Sequence, residues 1–278
     1  MDLRKSIVVS SDTYYYKLAY EMGVDRIHDY MVPWGFGQLT GIDLPHETRG
    51  ILPSSTWKME RYKKRWIPGE TPSVGIGQGY NAFTILQLAH ATATLANGGT
   101  VMKPHVVQAI EDPATRQRRM TVTGADRKIA IRPDHLNLVH SAMADVNRLG
   151  TGRRVFADAE YVAAGKTGTA QVIGIRQNER YDAKRIAERH RDHSLFIAFA
   201  PVGDPQIAIA TIVENGGFGA QAAAPLVRAL LDYHLTGKLP ENYPDNGLPT
   251  LPDEPELRDI PESMEPEPVD TPEEAARP

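Results

Sequence analysis

Two short segments carry residue types that can do chemistry together. Ala164-Gly165-Lys166-Thr167-Gly168-Thr169-Ala170-Gln171-Val172 reads as strand, with a lysine set among small and apolar residues. Burying an ammonium group is costly unless it has a polar duty, and Gly168 removes a side chain where another backbone can lie close. Strand side chains alternate, so Thr167 and Thr169 share a face. Two hydroxyls beside a glycine make a cradle for a carboxylate and an extended peptide. Ser10-Ser11-Asp12 stands at the mouth of a helical pattern. A serine hydroxyl, a short acid and a lysine can pass protons among themselves. Each segment also has a plainer reading, an edge strand with a surface lysine and a helix N-cap.

The elements that must hold these segments follow from periodicity. Asp12 to Met31 spaces apolar and aromatic residues at helical intervals and breaks at Gly23. Pro33 to Thr71 is rich in Gly, Pro and Trp without a sustained period, which predicts an irregular excursion with short strands at most. Helices are expected at Ala82 to Ala96, stopped by Asn97-Gly98-Gly99, at Pro133 to Leu149, closed by Gly150, and at Ala222 to Leu235, ended by Gly237. Strands are expected at Pro104 to Ala109, Tyr161 to Ile173, Leu195 to Pro201 and Gln206 to Val213. The last two are joined by Val202-Gly203-Asp204-Pro205, a turn short enough to require antiparallel pairing. Helices early, a meander late and one closing helix describe an α/β domain with a mainly antiparallel sheet.

Lys-Thr-Gly after Ser-x-Asp matches, in order, two of the three signatures of serine-acyl enzymes, Ser-x-x-Lys, Ser-x-Asn/Asp and Lys-Thr-Gly. Trp34-Gly35-Phe36-Gly37-Gln38-Leu39-Thr40-Gly41-Ile42-Asp43-Leu44-Pro45, Val74-Gly75-Ile76-Gly77-Gln78-Gly79-Tyr80 and Asn97-Gly98-Gly99 resemble framework segments of class B penicillin-binding proteins. Tyr181 to Arg189 before Asp192-His193 is similar to the elongation branch of that class. The resemblance covers about residues 3 to 237. It implies a penicillin-binding, serine β-lactamase-like fold, cross-linking of peptidoglycan stem peptides by serine acyl transfer, and acylation by β-lactams. It places Ser10 and Asp12 in the second motif, with Ser10 in proton transfer, Asp12 holding the cleft and Lys166 tuning the cluster. Thr167, Gly168 and Thr169 would bind the substrate carboxylate, and the Thr169 N–H would supply half of an oxyanion hole. No metal or organic cofactor is implied. Partners would be elongation-complex membrane proteins, at the periplasmic side of the inner membrane.

In the family the nucleophilic serine and its lysine precede the Ser-x-Asp element, so the chain is expected to be the C-terminal part of a transpeptidase domain without nucleophile or membrane anchor. Ser55-Thr56-Trp57-Lys58 is the one Ser-x-x-Lys match. It follows Ser10, in a stretch without helical pattern, and is read as a coincidence, with Lys58 in a solvated basic run to Arg65. The alternative function is a non-catalytic, truncated or sensor-like penicillin-binding module.

Composition agrees with this picture and narrows it. The 278 residues contain no cysteine, which excludes a disulfide framework and a thiolate metal site. From Pro240 to Pro278 there are twelve acids against Arg258 and Arg277, and ten prolines, so residues 239–278 are read as a disordered acidic tail after a domain over 1–238. The remainder is mildly basic but has no aromatic-basic nucleic-acid motif. Gly75-Ile76-Gly77-Gln78-Gly79 lacks the frame of a dinucleotide loop and is read as a turn. His190 and His193 are read as part of a charged loop.

Overall fold

The computed structural model describes residues 1–174 and 186–238. The proposed tail and most of the Tyr181 to Arg189 segment lie outside the described residues. The chain opens with α1 (Leu3–Val8), α2 (Asp12–Met22) and α3 (Val24–Met31), with Gly23 at φ 78° between the last two. Next come α4 (Ser55–Tyr62), α5 (Thr71–Gly75) and α6 (Ile85–Ala96). Thr84 and Gln87 form a reciprocal capping box at the start of α6. Four short strands follow, β1 (Thr100–Met102), β2 (Ala109–Glu111), β3 (Arg118–Met120) and β4 (Ala125–Lys128), then α7 (Pro133–Arg148). The C-terminal part holds β5 (Ala164–Ala170), β6 (His193–Ala200), β7 (Ile207–Val213) and α8 (Ala223–Thr236).

The sheet that matters for function is the antiparallel meander β5-β6-β7. Alternation along β6 sends Phe196, Ala198 and Ala200 to one face, where Ala223, Ala224, Val227 and Leu231 of α8 cover them. Facing alanines on strand and helix let the two backbones approach closely. Phe199 points to the other face, against Met143 of α7 and Ala164, with Leu95 of α6 and Ile7 of α1 beside them. Helices thus cover both faces of one sheet. Two smaller two-stranded ladders, β1-β4 and β2-β3, stand apart from it.

Three expectations need correction, two of them for identifiable reasons. The strand predicted over 104–109 is absent, and β2 begins only at Ala109. The N–H groups of Val106 and Val107 are instead held by the Asp43 carboxylate, at 2.7 and 3.0 Å, so no ladder can use them. The excursion from Pro33 to Thr71 contains α4, whose N-cap Ser54 accepts from Trp57 N at 3.0 Å. Its buried residue is the charged Lys58, with Trp57 only half-buried and Tyr62 exposed, which hid the period. The strand predicted over Tyr161 to Ile173 is shorter, running from Ala164 to Ala170.

Candidate active site

The structure brings the two chemically rich segments together. Lys166 Nζ donates to Ser10 Oγ at 2.7 Å and to the Thr167 carbonyl at 2.8 Å. Ser10 occupies the short link between α1 and α2 with φ 53°, a left-handed conformation uncommon for a residue with a Cβ. The helix-cap alternative is not realised by the serine hydroxyls: Ser11 is the N-cap residue of α2, and its side chain meets Thr13 rather than a backbone N–H. Burial pulls the Lys166 ammonium down to about 8, partly opposed by the charge of Asp12. Ser10, Asp12, Lys166, Thr167, Gly168 and Thr169 all line one cleft of about 530 Å³.

Other cleft residues escaped the sequence reading. Thr151 follows α7, and its Oγ1 lies 2.9 Å from that of Thr167. Flanking glycines hold it there, since a Cβ on Gly150 would strike Val8 O at 2.3 Å and one on Gly152 would strike Asn147 Oδ1 at 2.4 Å. Gln78 reaches from the turn after α5 to the Thr169 carbonyl at 2.8 Å. Asp192 also lines the cleft; burial raises its carboxyl, against the pull of the Val172 N–H. His193 accepts from Asn215 N at 2.9 Å, and among the described residues no group of three or more His, Asp or Glu is placed to hold a metal.

A backbone does lie close to Gly168, but the glycine that permits it is Gly219: a Cβ on Gly168 would meet only Leu195, its Cβ at 3.3 Å. A Cβ built on Gly219 would sit 2.6 Å from Gly168 O and 2.4 Å from Leu195 O. Ser194 Oγ ties this loop to α8 by donating to Phe218 O and accepting from Ala223 N, both at 3.0 Å. Gly219→Ala has to push the 217–220 loop away from β5. The expected result, in the protein expressed from its complete reading frame, is a fall in penicillin acylation of about tenfold or more, as misplacement by about 1 Å can cost a hundredfold. Stopped-flow acylation kinetics would check it, and an unchanged rate would show that the loop does not shape the cleft.

Ser55 and Lys58 are not a nucleophile pair. Ser55 Oγ donates to Asp25 Oδ2 at 2.7 Å. The solvated basic run is corrected at its first member, because Lys58 is only 3% exposed. Its Nζ contacts both Glu70 carboxylate oxygens, at 2.5 and 2.6 Å, and lies near the Trp66 and Tyr80 rings. The hydrogen bond to Glu70 raises the Lys58 ammonium above its usual range, while Glu70, despite its burial, is held low by Lys58 and the Ile67 N–H.

An antiparallel meander covered by helices, with Ser-x-Asp at a helix mouth facing Lys-Thr-Gly on an edge strand, is the arrangement of a penicillin-binding transpeptidase domain. Residues 1–232 match the penicillin binding protein transpeptidase domain, and the chain belongs to that family. It is 44% identical over 248 residues, 86% of its length, to the peptidoglycan D,D-transpeptidase MrdA of Haemophilus influenzae. It is 41% identical over 239 residues to MrdA of Escherichia coli. In both cases it spans 37% of the relative's length. Among solved structures, Pseudomonas aeruginosa PBP2 in complex with WCK 5153 superposes with a TM-score of 0.73 at 38% identity, over 88% of this chain and 52% of that one. Helicobacter pylori PBP2 in complex with MreC gives 0.69 at 29% identity, over 86% and 41%.

Proposed function

We propose that this chain is the part of a peptidoglycan D,D-transpeptidase that binds the acyl donor and supplies half of its proton-handling groups. The observation that carries this is the 2.7 Å contact between Lys166 Nζ and Ser10 Oγ at the edge of β5, in a cleft shared with Thr167 and Thr169. The serine that becomes acylated stands upstream of Ser10 in the family order. Its oxygen attacks the penultimate D-alanyl carbonyl of a stem peptide, an ester forms, and terminal D-alanine leaves with a proton. The amine of a neighbouring stem then attacks the ester, forming the cross-link and returning the proton to the serine.

Ser10 relays the proton and Lys166 sets its electrostatics. Thr167 and Thr169 take the terminal carboxylate, and Thr169 N–H faces the developing oxyanion. Asp12 holds the cleft mouth. A β-lactam enters the same sequence and stops at the ester. The MreC complex of the Helicobacter pylori relative supports a partner from the elongation complex, and the likeness to MrdA peptidoglycan transpeptidases supports a place on the periplasmic side of the inner membrane. Among the described residues no helix is long and apolar enough to cross a membrane.

Intact-mass spectrometry after incubation with a fluorescent penicillin tests the assignment. The protein expressed from its complete reading frame is expected to take one label per molecule, and residues 1–278 alone none. A stoichiometric adduct on Ser55 would overturn the motif order. Absence of label from the complete protein would favour the non-catalytic module.

A further inference from the structure

The glycine-rich turn after α5 does more than reverse the chain. Gly77 and Gly79 adopt φ 81° and 66°, which shapes a tight turn that presents Gln78 between them. Its backbone is pinned, with Gln78 N bonded to Ser73 O at 2.9 Å and Asn81 Nδ2 to Val74 O at 2.9 Å. Tyr80 anchors the far side, its hydroxyl 3.2 Å from Glu70 and its ring within 5.8 Å of Trp57, Tyr62 and Trp66. On the near side α5 packs so closely on α2 that a Cβ on Gly75 would lie 2.2 Å from that of Ala19. The turn is therefore fixed between the helix that begins at Asp12 and the edge of β5.

Gln78 Nε2 donates to Thr169 O, and Lys166 Nζ donates to Thr167 O. Both carbonyls thus accept from side-chain donors rather than from a neighbouring strand, on the edge of β5 away from β6. In an antiparallel strand a residue's N–H and C=O turn to the same edge. A peptide added to this edge as a strand has to donate a backbone N–H to an outward carbonyl, and the Thr169 carbonyl already carries the Gln78 amide.

We propose that Gln78 is a specificity-determining residue of the donor site: its side-chain amide stands in for the donor's backbone N–H at the Thr169 carbonyl, so a ligand that brings such an N–H competes with it for that acceptor. This rests on the reading that the edge of β5 holds the acyl donor. Ligands without that N–H leave Gln78 in place and are indifferent to it. A net hydrogen bond is worth about 0.5–1.5 kcal/mol, or roughly two- to twelvefold in rate.

The experiment compares second-order acylation rates of the protein from its complete reading frame and its Gln78→Leu and Gln78→Glu variants. Both variants lack the donor. One probe is benzylpenicillin, whose acylamino N–H lies beside the reacting ring. The other is a clavam, with a β-lactam and a carboxylate but no acylamino group. The expected result is a roughly two- to twelvefold gain for benzylpenicillin relative to the clavam in both variants, with an unchanged melting temperature. Equal losses with the two probes would make Gln78 a mere support of Thr169 and overturn the proposal, as would rates that do not change. No acylation of the unmutated protein by either probe would sink the transpeptidase reading itself.

Discussion

In the protein expressed from its complete reading frame, Lys166→Ala is expected to lower the rate of penicillin acylation about a hundredfold without lowering the melting temperature at pH 7. Loss of a preorganised charge from a reacting site commonly costs that much, and Lys166 directs its ammonium at Ser10 and the substrate edge of β5. Its pKa of about 8, depressed from 10.5 by burial, gives the sign of the stability effect. Below pH 8 folded and unfolded chains both carry the proton, and the buried charge costs the fold on the order of 3 kcal/mol. Between about 8 and 10.5 the folded chain has released the proton while the unfolded chain keeps it, so stability rises with pH. The working form donates to Ser10, so the acylation rate falls as pH rises through about 8. Lys166→Arg would move this limb beyond the measurable range. Lys58→Ala has the opposite signature, because it strands Glu70 and lowers the melting temperature. Equal rate losses for the two alanine variants, or a larger loss for Lys58→Ala, would sink the assignment of Lys166.

Arg228→Met should be the most destabilising single change in the body of the domain. Arg228 Nε bonds both Asp232 oxygens at 2.8 Å, and its other arm reaches Val155 O and Asp158 at 2.8 and 2.7 Å. Asp232 is 5% exposed and would keep only the Tyr161 hydroxyl, at 2.6 Å, among these partners. Stranding one member of a buried pair costs about 3–5 kcal/mol, or roughly 10 °C in melting temperature for a domain of this size. Replacing both members, as Arg228→Met with Asp232→Leu, should recover most of the loss. Thermal unfolding followed by circular dichroism decides the matter, and a loss under about 1 kcal/mol for the single variant would show the network to be idle.

The parts of the fold that could be read from sequence are those whose signal is local. The period of α6 and α7, the Gly237 stop and the short turn between β6 and β7 placed those elements to within a few residues. The α4 helix was hidden because its buried residue is a charged one, Lys58, and because Trp57 and Tyr62 find their ring partner in Tyr80, beyond the helix itself. At the site, Lys166 and Ser10 were visible because a buried lysine and a serine-acid pair are chemically costly or conspicuous. Gln78 and Thr151 were not, because their polarity is ordinary and only the tertiary fold directs them at β5. A trace of both was present: each sits between two glycines, as Thr167 and Thr169 sit on either side of Gly168.

The contact between Ser10 and Lys166 joins residues 156 positions apart. Closing a loop of that length costs about 4–5 kcal/mol of chain entropy, and that cost precedes any reward from the contact itself. The aromatic cluster of Trp57, Tyr62, Trp66 and Tyr80 closes within a short stretch of chain and can form early. During refolding, tryptophan burial should therefore run ahead of the ability to bind penicillin. Substitutions at the cleft should alter the rate of unfolding more than the rate of folding, leaving the domain free to change its active site without slowing its own assembly.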